Sequence, residues 1–440
     1  MNKRHRLDLL IAGMIFLLAF GWRLWHMMRL EIWFDEAYSS IAVSGGWSDV
    51  WRMIYTQAQP PLHYLSLKIW AILAGHNDYS LRFIQAVLGA IIPAAAFLWL
   101  RSRTVAQSLV VSLATALLLT LNPFLTQYSQ EIRYYAQSTA LLFVASAIAF
   151  YLATKKDLRT KSWLLVGCLL SLAWLTHYTA LFVIVPLYLL LRAWLYPVVV
   201  PAERRSMLLG VLLPLEIGTL LLIKPIIWSF WTGAKYITWV APMSPDFITS
   251  SLWSFLVGVQ RHSNGLTPAL FGAGTFWPVI VVITLLLLGV WAIWRQRAIE
   301  DRLYWYATGL WVGILATAAL FSLVVSPLWL PRYIMSAGVW FIIWIVLTVF
   351  RLPRRSVATL VLVGLCLLGL IGHESVDRNP EWMAERIAAQ PGDYPLSAPY
   401  NVTMTCFFLD RSTFMTIVQS SATPQCQLSN GTSVYVESKE

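Results

Sequence analysis

The sequence predicts an all-α polytopic membrane protein, and three observations predict it. Of 440 residues, 58% are hydrophobic and only 12% charged, which leaves too little polar surface to cover one water-soluble core. Apolar stretches recur along the chain at about 20 residues, long enough to cross a hydrocarbon layer as helices. The basic residues stand in short clusters between those stretches, the distribution that orients membrane helices, and not on one polar domain. The formal net charge of +11 therefore points to a membrane and gives no support to a nucleic-acid partner.

Taken in order, the spans fall at residues 7–27, 81–100, 106–122, 136–154, 162–176, 179–196, 207–227, 275–294, 303–325, 334–350 and 357–372, about eleven helices. The first follows Met1-Asn2-Lys3-Arg4-His5-Arg6, a basic start like that of a signal peptide. No small-residue cleavage site follows its apolar run, so it reads as an uncleaved first helix. Residues 60–73 are too short to span. On a helical wheel Leu62, Leu65, Ile69, Ile72 and Leu73 share one face with His63 and Lys68 off it, which suits a helix lying in the interface.

Parity supports that choice. With the segment lying flat, seventeen of the 32 Lys and Arg residues fall on one side, in the amino-terminal cluster and around Arg101/Arg103, Lys155 to Lys161, Arg204/Arg205, Arg295/Arg297/Arg302 and Arg351/Arg354/Arg355. The positive-inside rule assigns that side to the cytoplasm. The expected topology has a cytoplasmic amino terminus, an extracytoplasmic carboxyl terminus and outer loops at 29–80, 128–135, 228–274 and 326–333. Residues 1–372 form the expected transmembrane domain. Residues 373–440 form a small mixed outer domain with a few strands, from stretches such as Ser433-Val434-Tyr435-Val436. Cys168 and Cys366 fall in apolar segments, whereas Cys406 and Cys426 share the tail and could pair in an oxidising compartment. Asn401-Val402-Thr403 and Asn430-Gly431-Thr432 have the form of glycosylation sequons, a triplet common by chance.

The outer loops hold the chemistry. Ile32-Trp33-Phe34-Asp35-Glu36-Ala37-Tyr38 places two acids in an aromatic cluster, which alone would be an ordinary interfacial turn. A second acid recurs in Tyr128-Ser129-Gln130-Glu131-Ile132-Arg133-Tyr134-Tyr135, at the outer end of the third span, in a chain short of acids. Gln59-Pro60-Pro61-Leu62-His63-Tyr64 forces an extended lead into a helix start and fixes the lie of the interfacial helix. Pro331-Arg332-Tyr333 sets a cation at the outer interface, where it could meet a phosphate or simply snorkel. Glu216 inside the seventh span is expected to pair or face a cavity. His177 with Tyr178 reads as packing at an outer helix end that could also line a cavity.

In this order and spacing, Asp35-Glu36, Gln59 to Tyr64, Glu131 to Tyr134 after Asn122-Pro123, and Arg332-Tyr333 resemble the GT-C type membrane glycosyltransferases. The branch is the PMT-like one containing protein O-mannosyltransferases and lipid A aminoarabinose transferases, and the resemblance covers most of the first 350 residues. It implies a transferase at the outer face of a bacterial inner membrane, taking a sugar from a polyprenyl-phosphate donor. It also implies Asp35 as catalytic base with Glu36 and Glu131 as the accompanying acids. Many relatives carry aspartate in the second loop, so whether Glu131 meets substrate or pairs with Arg133 stays open.

The chemistry agrees with that reading. Sugar transfer from a lipid phosphate to a hydroxyl asks for one carboxylate to take the acceptor's proton and for cations at the departing phosphate. Arg133, Tyr134, Arg332 and Tyr333, with Lys235, Arg261 and His262 of the long loop, are the donor-phosphate candidates, and Gln59, His63 and Tyr64 the cavity candidates. A single displacement inverts the anomeric centre. A divalent metal, Mg or Mn, would find ligands in Glu36 and His63, although no dense cluster demands one. The acceptor, a glycan, lipid or protein, stays open. The alternative from another class is a transporter or lipid flippase, which would keep ionisable groups at mid-membrane.

Overall fold

The computed structural model of the protein describes residues 3–25, 27, 28, 32–56, 59–102, 108–157, 159–195, 201–231, 243, 245–258, 276–296, 302–352, 355–374, 393–396, 425–427 and 433–436. Helix α1 (Lys3–Leu24) buries one stripe, Asp8, Ala12, Ile15, Ala19 and Arg23, at three- and four-residue spacing. Its small central residues pack against α5 (Asp78–Arg101), where Asp8 pairs with Arg101 at 2.9 Å. Leu10, Leu17 and Leu18, outside that stripe, are largely exposed, as side chains that meet lipid are.

Three helices fill the first outer segment: α2 (Phe34–Ser44), α3 (Trp47–Thr56) and α4 (Pro61–Ala74). Helix α4 starts on Pro61 after an extended Pro60 and stops at Gly75, whose φ of +89° suits a residue without Cβ. Its faces divide as the wheel indicates. His63, Tyr64, Leu67, Lys68 and Ala71 point into the protein, while Ile69, Ile72 and Leu73 point out. An apolar outer face suits lipid and not water. Buried Lys68 donates to the carbonyls of Val43 (2.8 Å) and Gly45 (2.6 Å), which closes the last turn of α2.

The third expected span ends in a sharp bend. Helices α6 (Ser108–Leu121) and α7 (Pro123–Ser129) meet at a 56° bend. Pro123 cannot continue the α6 ladder, and Asn122 caps the new helix by accepting from the Leu125 N–H at 2.8 Å. The Asn122 amide also donates to Phe255 O, at 2.7 Å, in α12 (Pro245–Val257). Arg23 braces the break from α1, donating to Ser129 Oγ (3.3 Å) and Leu119 O (3.5 Å). Gly89 of α5 leaves the room this meeting requires, since a Cβ there would strike Ser129.

The remaining helices are α8 (Tyr135–Lys155), α9 (Thr160–Thr176), α10 (Leu181–Leu195) after a 3-10 turn at Tyr178–Ala180, α11 (Pro201–Trp231), α13 (Phe276–Gln296) and α14 (Arg302–Val324). A 3-10 turn at Pro331–Ile334 leads into α15 (Met335–Val349), and α16 (Arg355–Glu374) follows. Helix α15 is buried along its whole length, and its Trp340 packs edge-on against Trp99 and Tyr306 at ring distances of 5.3 and 5.4 Å.

Each expected span coincides with a helix. Among the described residues five are long and apolar enough to cross a membrane, Lys3–Leu24, Asp78–Arg101, Tyr135–Lys155, Arg302–Val324 and Pro331–Val349, and the broken α6–α7 pair makes a sixth if it counts as one span. The other five expected spans meet shorter apolar helices. Glu216 corrects an expectation: α11 buries Met207, Gly210, Pro214, Gly218 and Leu222, and Glu216 falls off that stripe and is exposed. In the tail, β1 (Asp393–Leu396), β2 (Gln425–Gln427) and β3 (Ser433–Val436) form a sheet in the order β1-β3-β2, with β1 parallel and β2 antiparallel to β3. The Cys406–Cys426 pairing and both sequons lie outside the described residues.

Candidate active site

Trp33 has an extended backbone (φ −105°, ψ 171°) and α2 begins behind it, so Asp35 and Glu36 occupy the first turn, where the helix dipole favours anions. Glu36 points inward and is fully buried. Its Oε1 accepts from Arg82 Nε and from the Ile132 N–H, both at 2.9 Å, and its Oε2 from Arg82 Nη2 at 3.0 Å and the Trp33 N–H at 3.4 Å. Arg82 also donates to Met27 O at 2.8 Å. This bidentate pair joins the end of α1, the start of α2, α5 and the second loop. Glu36 is thus held as an anchor. Arg82 was not among the sequence candidates, although an arginine inside the expected span 81–100 was the signal for it.

Asp35 faces the other way, with 27% of its side chain exposed. Arg133 Nη2 lies 3.9 Å from Asp35 Oδ2, and Arg133 Nη1 donates to Asp35 O (3.2 Å), Ser39 Oγ (3.2 Å) and Tyr64 OH (3.4 Å). The second amino group of Arg133 donates to Tyr134 OH at 3.2 Å. Asp35 is therefore an ion-pair partner of Arg133, while Glu131 is fully buried beside it in sequence. From the late turn, the Arg332 guanidinium sits 4.9 Å above the Trp33 ring and 5.6 Å from that of Tyr333. First loop, second loop and late turn thus converge, as their motifs suggest.

His177 belongs to the same cluster. Tyr134 stacks on it at 3.9 Å and 17°, and Tyr333 leans against it at 5.3 Å. A narrow cavity is lined by Tyr134, Tyr135, His177, Thr179, Arg332 and Tyr333. His63 is fully buried on α4, its Nδ1 3.4 Å from Gln137 Oε1 and its ring set edge-on to Tyr64 and Tyr134 at 5.2 and 5.7 Å. Gln59 is half-buried just ahead of Pro60.

Burial and the Arg133 charge push the His63 imidazole down to about 3, so it is neutral. Burial, then Arg133 and His63, hold His177 well below its ordinary value. Burial followed by the Asp35 charge raises the Tyr38 phenol. For Arg133, burial opposes the charge but the oxygens of Tyr134, Asp35 and Tyr64 outweigh it and keep the guanidinium protonated.

A metal finds poor support. Among the described residues no three His, Cys, Asp or Glu side chains gather. Both oxygens of Glu36 are engaged by Arg82, and His63 lies in the field of Arg133, so the Glu36–His63 pair does not fit a divalent cation. No step is routed through one. Lys235, Arg261 and His262 lie outside the described residues.

Residues 58–231 match the sequence model of a family described as dolichyl-phosphate-mannose-protein mannosyltransferase. That stretch includes His63, Tyr64, Arg82, Glu131, Arg133 and Tyr134 and leaves out Asp35 and Arg332. No curated protein matches the chain. Among solved structures, ArnT from Cupriavidus metallidurans in the apo state is similar with a TM-score of 0.52 at 14% identity, over 92% of this chain and 83% of that one. The same protein bound to undecaprenyl phosphate is similar with a TM-score of 0.51 at 16% identity, over 94% and 88%. The PMT-like resemblance is therefore met twice, by a family over 58–231 and by a shared polytopic fold over nine-tenths of the chain.

Proposed function

From a GT-C type, PMT-like fold as premise, we propose that the protein transfers a sugar from a polyprenyl-phosphate donor to a hydroxyl of an acceptor, with inversion. The single observation that carries this reading is the placement of Asp35. It is the partly open carboxylate of the cluster, with Arg133 at 3.9 Å and Arg332 stacked over neighbouring Trp33. Asp35 takes the acceptor's hydroxyl proton as the new glycosidic bond forms. The anomeric carbon–oxygen bond breaks in the same displacement, and its electron pair leaves on the phosphate. Arg133 and Arg332, with the Tyr134 and Tyr333 hydroxyls, neutralise that charge, and Lys235 and His262 stay candidates for the same task. Glu36 positions Asp35 through Arg82, Glu131 braces the second loop, and Gln59, His63 and Tyr64 form the wall behind them.

Support for the donor comes from the family matched over 58–231, described by a dolichyl-phosphate sugar, and from the undecaprenyl phosphate bound to ArnT. The basic clusters support an orientation with the site outside, the likeness to ArnT supports a bacterial inner membrane, and the three tail strands support residues 373–440 as a separate outer domain. A transporter finds less support, since Glu216, the acid read as mid-span, is exposed on α11.

The test is Asp35→Asn in membranes supplied with a radiolabelled polyprenyl-phosphate sugar. Transfer should fall about 10²-fold or more, the scale of a lost general base. Undiminished transfer at equal expression would remove Asp35 from catalysis.

A further inference from the structure

The bundle holds a second recess, well away from the carboxylates. Helices α9 and α11 pack closely, since a Cβ on Gly167 would strike the Gly210 carbonyl oxygen. Helix α10 leans instead on α14, where Gly309 and Gly313 admit Leu190 and Pro186. The wedge between α10 and the α9–α11 pair is a cavity of about 390 Å³. Trp163 and Leu170 of α9, Leu187 and Leu191 of α10, and Met207 and Leu215 of α11 line it. Apart from Tyr188 and Arg192, every lining residue among the described ones is apolar.

Such a space, open on one side and apolar-walled, favours an apolar guest over water. A dry apolar cavity of about 150 Å³ already takes up apolar guests, and this one is more than twice as large. Water needs two or more polar partners, and among the described lining residues only Tyr188 and Arg192 offer them. The guest is therefore a hydrocarbon chain. Arg192 supplies the other half of the recognition, because it is exposed at the end of the groove remote from the active site. Fifteen residues separate it from His177, about 22 Å along a helical path. Lys155, Lys156 and Lys161 are exposed at the same end of α8 and α9.

We propose that this groove binds an anionic phospholipid, with one acyl chain between α9, α10 and α11 and the phosphate at Arg192. Basic pockets between transmembrane helices recognise anionic headgroups in this way. The sugar donor is a poor occupant, because its phosphate belongs with Arg133 and Arg332 at the opposite end. Only the exclusion of the sugar donor rests on the proposed function, and the test involves no sugar.

Native mass spectrometry of the full chain decides it. The protein is released from detergent micelles doped with equal amounts of phosphatidylglycerol and phosphatidylcholine of identical acyl chains. The wild type should retain phosphatidylglycerol about fivefold over phosphatidylcholine, the preference one arginine provides. Arg192→Gln should retain the two equally without losing total lipid. Leu208→Trp, which fills the groove, should lose the retained lipid whatever its headgroup. Equal retention by the wild type, an unchanged preference in Arg192→Gln, or unchanged retention in Leu208→Trp would each overturn the proposal.

Discussion

Between Asp35 and Glu36 the helix turns by about 100°, and that rotation separates a carboxylate with an open edge from one sealed in the protein. The sequence shows two adjacent acids and cannot show which faces inward, because the deciding partner, Arg82, lies in another helix. His63 is a similar case. The motif placed it near the site, but its burial comes from Tyr64, Tyr134 and Gln137 around it. Its folded-state value of about 3 lies below the ordinary 6.5. Below pH 6.5 the unfolded chain takes up a proton that the folded protein refuses, so stability present above that pH is lost as the pH falls toward 3, by about 1.4 kcal/mol per unit. His177 acts in the same direction. Thermal midpoints in detergent from pH 6.5 to 4.5 should fall less steeply for His63→Gln than for the wild type. Parallel curves would show that His63 titrates as freely in the folded protein as in the unfolded one.

Elements differ in how well local pattern reveals them. Helix α4 was readable in its start and its faces, since Pro60-Pro61 and a two-faced apolar pattern mark them. Helix α7 was not, because seven residues carry too little periodicity, although Asn122-Pro123 marks the bend. What places α2 is the Glu36–Arg82 pair, and removing one partner from a fully buried pair costs about 3–5 kcal/mol. Glu36→Gln should lower the melting temperature sharply. Adding Arg82→Met should restore much of it, because no charge is then left without its partner. A double variant as unstable as the single one would mean that the donors from Ile132 and Trp33, and not Arg82, set the cost.

For the whole molecule, hydropathy was enough to place a helix at each expected span, since the bilayer imposes the length and apolarity of such segments, but not to find α7 or α12. The meeting of His177 with Tyr134, or of Arg332 with Trp33, was out of reach, because contacts between distant helices leave no local period. The orientation is a separate matter with its own measurement. In intact cells a cysteine placed at Ser102 should resist a membrane-impermeant thiol reagent, while one at Asn430 should react. The reverse pattern would put the proposed site on the cytoplasmic side.

The stacking of Arg332 on Trp33 has a consequence for biosynthesis. The ribosome adds Arg332 about three hundred residues after Asp35, a delay of roughly 15 to 60 s at ordinary elongation rates. Through that interval the nascent protein displays its carboxylate without the second cation. A chain stalled or cleaved before the late turn would lack the guanidinium that lies over Trp33, and under the proposed function its sugar transfer should be impaired.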